Sequence, residues 1–283
     1  MSTSEHGPVI PTLELNDGQN IPQVGLGTYA MRDTEGVGAI IAGIDNGYRL
    51  LDTAVNYENE REVGQAIIDS KVGRDELFIT SKIPGRHHGF DEAIASTEES
   101  LARLELERLD LHLIHWPNPS VGKYVDTWRG LIELRERGLV TSIGVSNFTE
   151  SMLQELIDET GVTPAVNQIE LHPYFPQSEL IAFHRSIGVQ TESWSPLYRD
   201  QGLFGEGPIA EAAATHGVEP AQVVLRWHLE VGSLPIPKSA NPERQRLNAD
   251  IFGFSLTSAE VAAISGLERG RMKDRDPLTH EEM

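Results

Sequence analysis

LFITSKIPGRHHGFDEAIASTEESLARLELERLDLHLIHW, residues 77–116, contains a complete strand–helix–strand unit. The apolar runs LFITSKI (77–83) and LDLHLIHW (109–116) have the length of buried strands, and residues 91–104 between them have the spacing of an amphipathic helix. Strands that are joined through a helix run parallel in one sheet, and the helix covers a face of that sheet. The stretch therefore predicts a parallel α/β fold.

The same alternation continues through most of the chain. Short apolar runs occur at VGLGTY (24–29), RLLDTA (49–54), LFITSKI, LDLHLIHW, TSIGVSNF (141–148), VNQIEL (166–171), VQTESW (189–194) and LPIPKS (234–239). Stretches of helical period lie at residues 34–46, 60–70, 91–104, 124–137, 149–159, 177–187 and 210–227. Such strands, eight in number and alternating with helices, predict a closed (β/α)8 TIM barrel.

A different pattern precedes the barrel. Residues 12–22, TLELNDGQNIP, consist of two short alternating runs around Asn16-Asp17-Gly18. These three residue types favour tight turns, so the segment predicts a β-hairpin, which we expect to cap the bottom of the barrel. No linker and no change in composition divides the chain, and we expect one domain over residues 1–283.

Composition argues against several kinds of partner. The chain has 283 residues, a formal net charge of −20 and no cysteine. That charge disfavours nucleic acid and anionic membrane surfaces, and no apolar run is long enough to span a bilayer. Without a recognisable signal peptide or disulfides, we expect a cytoplasmic protein. We further expect a monomer whose partner is a small molecule. An anionic cofactor would need a local basic cluster.

One motif suggests another fold. GLGTYA, residues 25–30, fits the G-x-G-x-x-A pattern of a Rossmann dinucleotide fingerprint, and Asp52 follows roughly where that fold has its ribose-binding acid. In a Rossmann unit the helix begins inside the glycine motif. Here the helical pattern begins only near Thr34, so we interpret the glycines as allowing the end of the first strand to pass close to a ligand or to its neighbours.

Polar side chains follow three neighbouring strands. The second strand ends at Asp52 with Tyr57 in the next loop, the third ends at Lys82, and the fourth is followed by His115. Active-site residues of TIM barrels lie at the carboxyl ends of the strands. Since neighbouring strands are about 4.8 Å apart, we expect these side chains to converge.

These four residue types suit the reduction of a carbonyl group. Buried Lys82 needs an anion, which Asp52 supplies. An ammonium group beside Tyr57 is expected to lower the pKa of the phenol from about 10 and make it a usable proton donor to the carbonyl oxygen of a substrate. His115 would orient that carbonyl oxygen by donating a hydrogen bond to it. Taken alone, each residue is better explained as part of a structural ion pair, as a loop tyrosine or as a buried histidine. Their convergence favours catalysis.

The second half of the chain supplies candidates for holding a cofactor. Amide and hydroxyl side chains can bind a carboxamide, and an indole can stack on a flat heterocycle. Such side chains occur at later strand ends, as Ser146, Asn147, Gln168 and Trp194. The last strand is followed by Lys238 and by Arg244 in ANPERQRLN (240–248), at a predicted helix start. This is the local basic cluster that an anionic cofactor would need.

The motifs GLGTY (25–29), LLDTAVNYENE (50–60), SKI (81–83), LIHWPNP (113–119), GVSNF (144–148), VNQIELHPY (166–174), WSPL (194–197) and IPKS (236–239) occur together in this order. On these motifs the chain resembles the aldo-keto reductases along its whole length. The resemblance implies a (β/α)8 barrel that reduces a carbonyl group to an alcohol with NADPH. Within the family the chain is most similar to bacterial reductases of keto-sugar acids. The expected substrate is therefore a small carbonyl compound such as 2,5-diketo-D-gluconate, which would give 2-keto-L-gulonate.

The resemblance also implies individual roles. The implied catalytic residues are Asp52, Tyr57, Lys82 and His115, with Tyr57 as the proton donor. The implied cofactor-binding residues are Gly27, Thr28, Ser146, Asn147, Gln168, Trp194, Ser195, Leu197, Lys238, Ser239, Arg244 and Asn248. The implied substrate-binding residues are Tyr29, Tyr57, His115 and Trp116, and no metal is implied. Two positions depart from the family pattern: Leu247 replaces a usual glutamate at the adenine, and Pro84 replaces a tryptophan that faces the substrate in many relatives.

A basic loop, PGRHHG (84–89), follows the third strand. Arg86, helped by partly protonated His87 and His88, would hold the carboxylate of an acidic substrate. The alternative is a solvated polar loop without a role in binding.

Other interpretations stay open at this level. Glu170, His172 and Glu192 could belong to the metal site of a barrel hydrolase, and a redox-sensing regulatory subunit would also bind the cofactor. GLFGEG (202–207), with Phe204, is either a flap over the cofactor or a surface loop. The polar tail, residues 268–283, is either a partly ordered terminus or a lid on the barrel mouth.

Overall fold

Eight parallel strands form the centre of the computed structural model, which describes residues 8–272 and 275–283. Neighbours in the sheet follow the order of the chain: β3 (Gly25–Gly27), β4 (Leu50–Asp52), β5 (Phe78–Ile83), β6 (Leu109–Ile114), β7 (Val140–Ser146), β8 (Val166–Glu170), β9 (Gln190–Trp194) and β10 (Ser233–Pro235). Before them, β1 (Thr12–Glu14) and β2 (Asn20–Pro22) pair as an antiparallel hairpin. The predicted barrel and its hairpin are confirmed.

The first and last strands of the barrel approach each other closely. The main-chain nitrogen of Gly27 donates a hydrogen bond to the oxygen of Pro237 at 3.1 Å. A Cβ atom at Gly25 would lie 2.6 Å from the side chain of Ile236, so a glycine is needed for this approach. The next helix begins only at Asp33, outside the GLGTYA motif. The glycines therefore allow the first strand to pass close to its neighbours, which is one of the two alternatives considered from the sequence.

Helices cover the outside of the barrel. They are α1 (Asp33–Asp45), α2 (Glu60–Asp69), α3 (Phe90–Leu104), α4 (Tyr124–Glu136), α5 (Glu150–Thr160), α6 (Ser178–Ser186), α7 (Gly207–His216), α8 (Pro220–Val231), α9 (Pro242–Ala249) and α10 (Ser258–Ser265). Within the described ranges, no helix combines the length and the apolar character needed to cross a membrane.

The prediction of one helical stretch over residues 210–227 is wrong. Helix α7 ends at His216, and Gly217 closes it with a left-handed φ of 67°. Helix α8 begins at Pro220, which lacks the N–H that a helix interior requires and therefore suits a first turn. Gly217 and Pro220 are typical of a helix end and a helix start, so the sequence itself contains the signals for this break.

The interior of the barrel changes character along its axis. At the amino ends of the strands, Leu50, Phe78 and Leu111 form a buried apolar cluster with Leu15 and Ile21 of the hairpin segment. The hairpin thus covers the bottom of the barrel, where burial of apolar area stabilises the fold. At the opposite end the inward-facing side chains are polar, and these build the candidate site.

Candidate active site

A cavity of about 1060 Å³ opens at the carboxyl ends of the strands. This exceeds the range of roughly 300–1,000 Å³ that is usual for small-ligand pockets. Most of the residues expected from the sequence line it: Gly27, Tyr29, Asp52, Tyr57, His115, Trp116, Asn147, Gln168, Trp194, Ser195, Leu197, Lys238, Ser239, Arg244 and Asn248. Four others stand outside its wall, namely Thr28, Lys82, Arg86 and Ser146. The volume of the cavity is large enough for a ligand of more than ordinary small-molecule size.

Lys82 and Asp52 form a buried ion pair beneath the cavity floor. Lys82 is fully buried, and its Nζ lies 2.6 and 2.7 Å from the two oxygens of Asp52. It also donates to the main-chain oxygen of Thr53 at 2.9 Å and lies 3.5 Å from the hydroxyl of Tyr57. Although burial by itself lowers the pKa of Lys82, the charge of Asp52 raises it above the usual value. The side chain is therefore an ammonium ion at neutral pH.

The loop that carries Tyr57 is held from below. Asn59 donates to the main-chain oxygens of Thr28 at 2.7 Å and Met31 at 3.0 Å, and it accepts a hydrogen bond from Thr53 at 2.8 Å. The hydroxyl of Thr28 donates to the main-chain oxygen of Asp52 at 2.9 Å. Thr28 is fully buried and lies outside the cavity wall, where it supports the loop that carries Tyr57.

The expectation of a lowered Tyr57 pKa is wrong in its net direction. Burial raises the pKa of Tyr57 above 10, and this effect outweighs the lowering by the charge and hydrogen bond of Lys82. The charge of Asp52 adds to the rise, because a second anion beside a phenolate is unfavourable. Tyr57 is therefore a neutral phenol at physiological pH, which is the form that can donate a proton.

The end of the chain reaches this group. Glu282 Oε1 lies 3.0 Å from Nδ1 of His115 and accepts a hydrogen bond from Asn56 at 2.6 Å. Burial by itself raises the pKa of Glu282, but the contacts with His115 and Asn56 and the charge of Arg86 lower it below the usual value. An ionised carboxylate thus stands beside the ring of His115, whose centroid is 5.9 Å from that of Tyr57.

Residues 275–283 lie along the cavity mouth, so the lid is the alternative that the structure supports for this part of the tail. Arg275, His280, Glu281, Glu282 and Met283 all line the cavity. Asn118 donates to the main-chain oxygen of Glu282 at 2.5 Å, and His280 packs edge-on against Trp116 with ring centroids 4.3 Å apart. Sequence reasoning missed Asn56 and Glu282 as site residues, since nothing in the local pattern connects them.

The basic loop is arranged differently from the expectation. Arg86 is exposed, and its guanidinium donates to Asn56 and, at 3.1 Å, to the main-chain oxygen of Met283. Burial lowers the pKa of His88 to about 4 and also lowers the pKa of His87. Partial protonation of these histidines at neutral pH is therefore wrong, and Arg86 carries the positive charge of the loop.

Asn147 organises the part of the cavity wall that lies between His115 and Trp194. Its amide donates to the main-chain oxygen of His115 and to the hydroxyl of Ser146, both at 3.0 Å, and accepts from the indole of Trp194 at 2.8 Å. Ser146 is buried and donates to the main-chain oxygen of Gln168 at 2.7 Å. Both polar side chains are thus engaged within the protein, and the one of Asn147 holds the Trp194 ring at the cavity.

The other end of the cavity is basic. Lys238 and Arg244 line it, and among the described residues neither side chain forms an ion pair. Arg244 lies at the first turn of α9, where Asn241 caps the helix by accepting from the nitrogen of Arg244 at 3.0 Å. A helix amino end and two cations favour an anionic group. These residues therefore fit the phosphates of a dinucleotide, while Trp194 and Gln168 fit its flat ring and carboxamide. Leu247, at the departure from the family pattern, lines the same end.

The three acidic and histidine side chains considered as metal ligands belong to separate clusters. His172 Nε2 lies 3.0 Å from Glu170 Oε1, whereas Glu192 contacts Gln168. Searching the described ranges finds no group of three or more His, Cys, Asp or Glu side chains that could hold a metal ion. Phe204, from the considered flap, lines the cavity.

A comparison with known families decides the assignment. The model of the Aldo/keto reductase family matches residues 23–269. The chain belongs to this family. As an aldo/keto reductase it is an oxidoreductase that acts on carbonyl compounds and uses a nicotinamide cofactor.

Three relatives illustrate the similarity of this aldo/keto reductase. It is 66% identical over 276 residues to 2,5-diketo-D-gluconic acid reductase B of a Corynebacterium species, covering 98% of this chain and 100% of that one. It is 45% identical over 267 residues to methylglyoxal reductase DkgA of Escherichia coli K12, covering 94% and 96%. The crystal structure of a Gox0644 variant in complex with NADPH has a TM-score of 0.92 at 42% identity, covering 97% and 100%.

Proposed function

We propose that this reductase uses NADPH to reduce the carbonyl group of a small keto-sugar acid, such as 2,5-diketo-D-gluconate to 2-keto-L-gulonate, with Tyr57 as the proton donor. The observation that supports it is the position of the Tyr57 hydroxyl, 3.5 Å from a buried ammonium group and beside His115, at one end of a cavity whose other end is basic. When bound, the cofactor supplies hydride to the carbonyl carbon.

The protein handles the proton. Neutral Tyr57 donates its hydroxyl proton to the carbonyl oxygen as that oxygen gains negative charge. The ammonium group of Lys82 then stabilises the phenolate that remains, and Asp52 keeps Lys82 charged and in place. The ring of His115 lies beside that of Tyr57 at the cavity, and a ring N–H of His115 donates a hydrogen bond to the carbonyl oxygen. The product is the alcohol, and Tyr57 regains its proton from solvent.

The names of two relatives support the proposed substrate, and rates of NADPH oxidation with different carbonyl compounds test it. The Corynebacterium relative is named for 2,5-diketo-D-gluconic acid and the Escherichia coli relative for methylglyoxal. The loss of NADPH absorbance should be followed with both compounds at equal concentrations. We expect a higher kcat/KM for the keto-sugar acid. Oxidation of NADPH by neither compound would contradict the proposal.

Arg244→Ala should weaken NADPH binding about 10- to 100-fold, the range for a hydrogen bond to a charged group, and leave NADH binding unchanged. The reason is that NADH lacks the 2′-phosphate, which the guanidinium of Arg244, without an ion pair among the described residues, would bind. Quenching of protein fluorescence measures both affinities. Arg246→Ala is the matched control, because Arg246 is already paired with Glu243 at 2.8 Å. Equal losses for both cofactors would show that Arg244 does not read the phosphate.

Glu282→Gln should lower KM for the keto-sugar acid about two- to fivefold, the effect of removing one partly screened charge. An acidic substrate must bring its carboxylate close to ionised Glu282, whose repulsion the substitution removes.

Arg86→Ala should raise the KM for the keto-sugar acid several-fold, because it removes the positive charge of the loop. Neither substitution should change KM for methylglyoxal, which is uncharged. Equal changes in KM for both substrates would show that the loop and the tail affect the shape of the pocket and do not interact with the charge of the substrate.

A further inference from the structure

Gln168 and Glu192 lie side by side inside the barrel. They are register partners on β8 and β9, so both side chains point to the same face of the sheet. Glu192 is fully buried and Gln168 nearly so, yet only Gln168 reaches the cavity wall. The carboxyl group of Glu192 thus stands behind the amide of Gln168 as seen from the cavity.

The amide nitrogen of Gln168 has both of its hydrogens engaged. Nε2 donates to Asp52 Oδ2 at 2.8 Å and to Glu192 Oε2 at 3.0 Å. An amide oxygen in place of Nε2 would face the carboxylate of Asp52, which is unfavourable, so the amide takes this orientation. Within the described residues no hydrogen bond reaches Oε1 of Gln168. That oxygen is therefore what the amide offers to a ligand in the cavity.

Asp52 alone would hold the Gln168 amide through only one of its two N–H groups. A single acceptor holds one of the two N–H groups and leaves the other buried without a partner, which is unfavourable. In the part of the chain that the structure describes, Glu192 forms no ion pair, and the donors of the nearest cation, Lys82, are directed to Asp52, Thr53 and Tyr57. The polar contact that Glu192 makes is the one with Gln168.

We propose that Glu192 is a positioning residue, which holds the Gln168 amide so that its oxygen accepts a hydrogen bond from the carboxamide of the nicotinamide. This rests on the proposed function, since it assumes that the nicotinamide binds beside Gln168. The arrangement tolerates a second carboxyl group near Asp52. Burial and the charge of Asp52 raise the pKa of Glu192 to about 8, so at neutral pH Glu192 is protonated and accepts through its carbonyl oxygen.

The test compares two variants of the same position. Glu192→Gln keeps an oxygen that can accept from Gln168, and NADPH affinity should stay near that of the wild type. Glu192→Met has a similar length but no strong acceptor, and it should weaken NADPH binding about three- to tenfold, the range for one hydrogen bond. Fluorescence quenching by NADPH gives both affinities without turnover. If Glu192→Met does not fold, Glu192→Ala removes the same acceptor without adding apolar bulk.

A cofactor analogue separates positioning from packing. In reduced 3-acetylpyridine adenine dinucleotide phosphate, a methyl group replaces the NH₂ that would donate to Gln168. Its affinity should be unchanged by Glu192→Met. In a Gln168→Met background, Glu192→Met should have no further effect on NADPH binding.

The inference would be overturned by an unchanged NADPH affinity in Glu192→Met and Glu192→Ala, or by an equal loss of NADPH affinity in Glu192→Gln and Glu192→Met. It would also be overturned if Glu192→Met weakened the binding of NADPH and of the analogue equally. A further loss of NADPH affinity when Glu192→Met is added to Gln168→Met would have the same meaning. Failure of the wild type to bind NADPH would instead contradict the proposed function itself.

Discussion

Tyr57→Phe should lower kcat for carbonyl reduction about 10²- to 10⁴-fold, the usual contribution of a general acid. The substitution removes the hydroxyl that stands 3.5 Å from Lys82 Nζ and keeps the ring that packs edge-on against Tyr29 and His115. Because the ring and the cavity wall remain, NADPH affinity should stay within about twofold of the wild type. Single-turnover loss of NADPH absorbance measures the chemical step directly.

Tyr124→Phe is the matched control for this substitution. Tyr124 lies at the start of α4 outside the barrel, where its hydroxyl donates to Glu155. Loss of that hydroxyl should leave kcat unchanged. A wild-type rate for Tyr57→Phe would contradict the assignment of the proton donor and would direct attention to His115.

The pH dependence of reduction follows from the direction of the Tyr57 shift. Burial raises the pKa of Tyr57 above 10, so the donor form is fully populated at neutral pH and is lost only at strongly alkaline pH. From the sequence we expected the reverse, because the charge of Lys82 was visible and the burial of the phenol was not. Two opposing effects decide this pKa, and their balance depends on the depth of the hydroxyl in the folded protein.

The barrel itself could be predicted because its information is local. Each of the strands β3 to β10 lies within or overlaps an apolar run, and buried parallel strands require such runs. The convergence of Asp52 and Lys82 also followed from local information. Once strands two and three are neighbours, residues at their carboxyl ends must be close, and the register pairs Asp52 with Thr80, two residues before Lys82.

The contacts across the barrel mouth could not be predicted in this way. Glu282 meets Asn56 across 226 residues of chain, and no periodicity or turn motif specifies that contact. The same holds for Glu192, which the sequence offered only as a possible metal ligand. Its role depends on the amide of Gln168 and on Asp52, which lies on a strand across the barrel. Contacts between side chains that are far apart in the sequence can be identified only from the distances in the folded protein.

Lys82→Met should reduce both catalysis and stability. The substitution leaves the carboxylate of Asp52, which is 3% exposed, with the amide of Gln168 as its remaining side-chain partner. Removing one partner of a buried ion pair typically costs about 3–5 kcal/mol of unfolding free energy. We also expect kcat to fall at least about 10²-fold, since the phenolate of Tyr57 loses the cation that stabilises it. Urea unfolding and single-turnover kinetics measure the two effects.

The double variant Lys82→Met, Asp52→Asn separates these effects. It replaces the Asp52 carboxylate, which has lost its cation, by a neutral amide of the same shape. Most of the lost unfolding free energy should therefore return. The rate should not return, because proton donation by Tyr57 still lacks its cation. Recovery of the rate together with stability would show that Lys82 acts only by holding the fold. If neither recovers, the interior of the barrel depends on the charges of Lys82 and Asp52 for more than their mutual attraction.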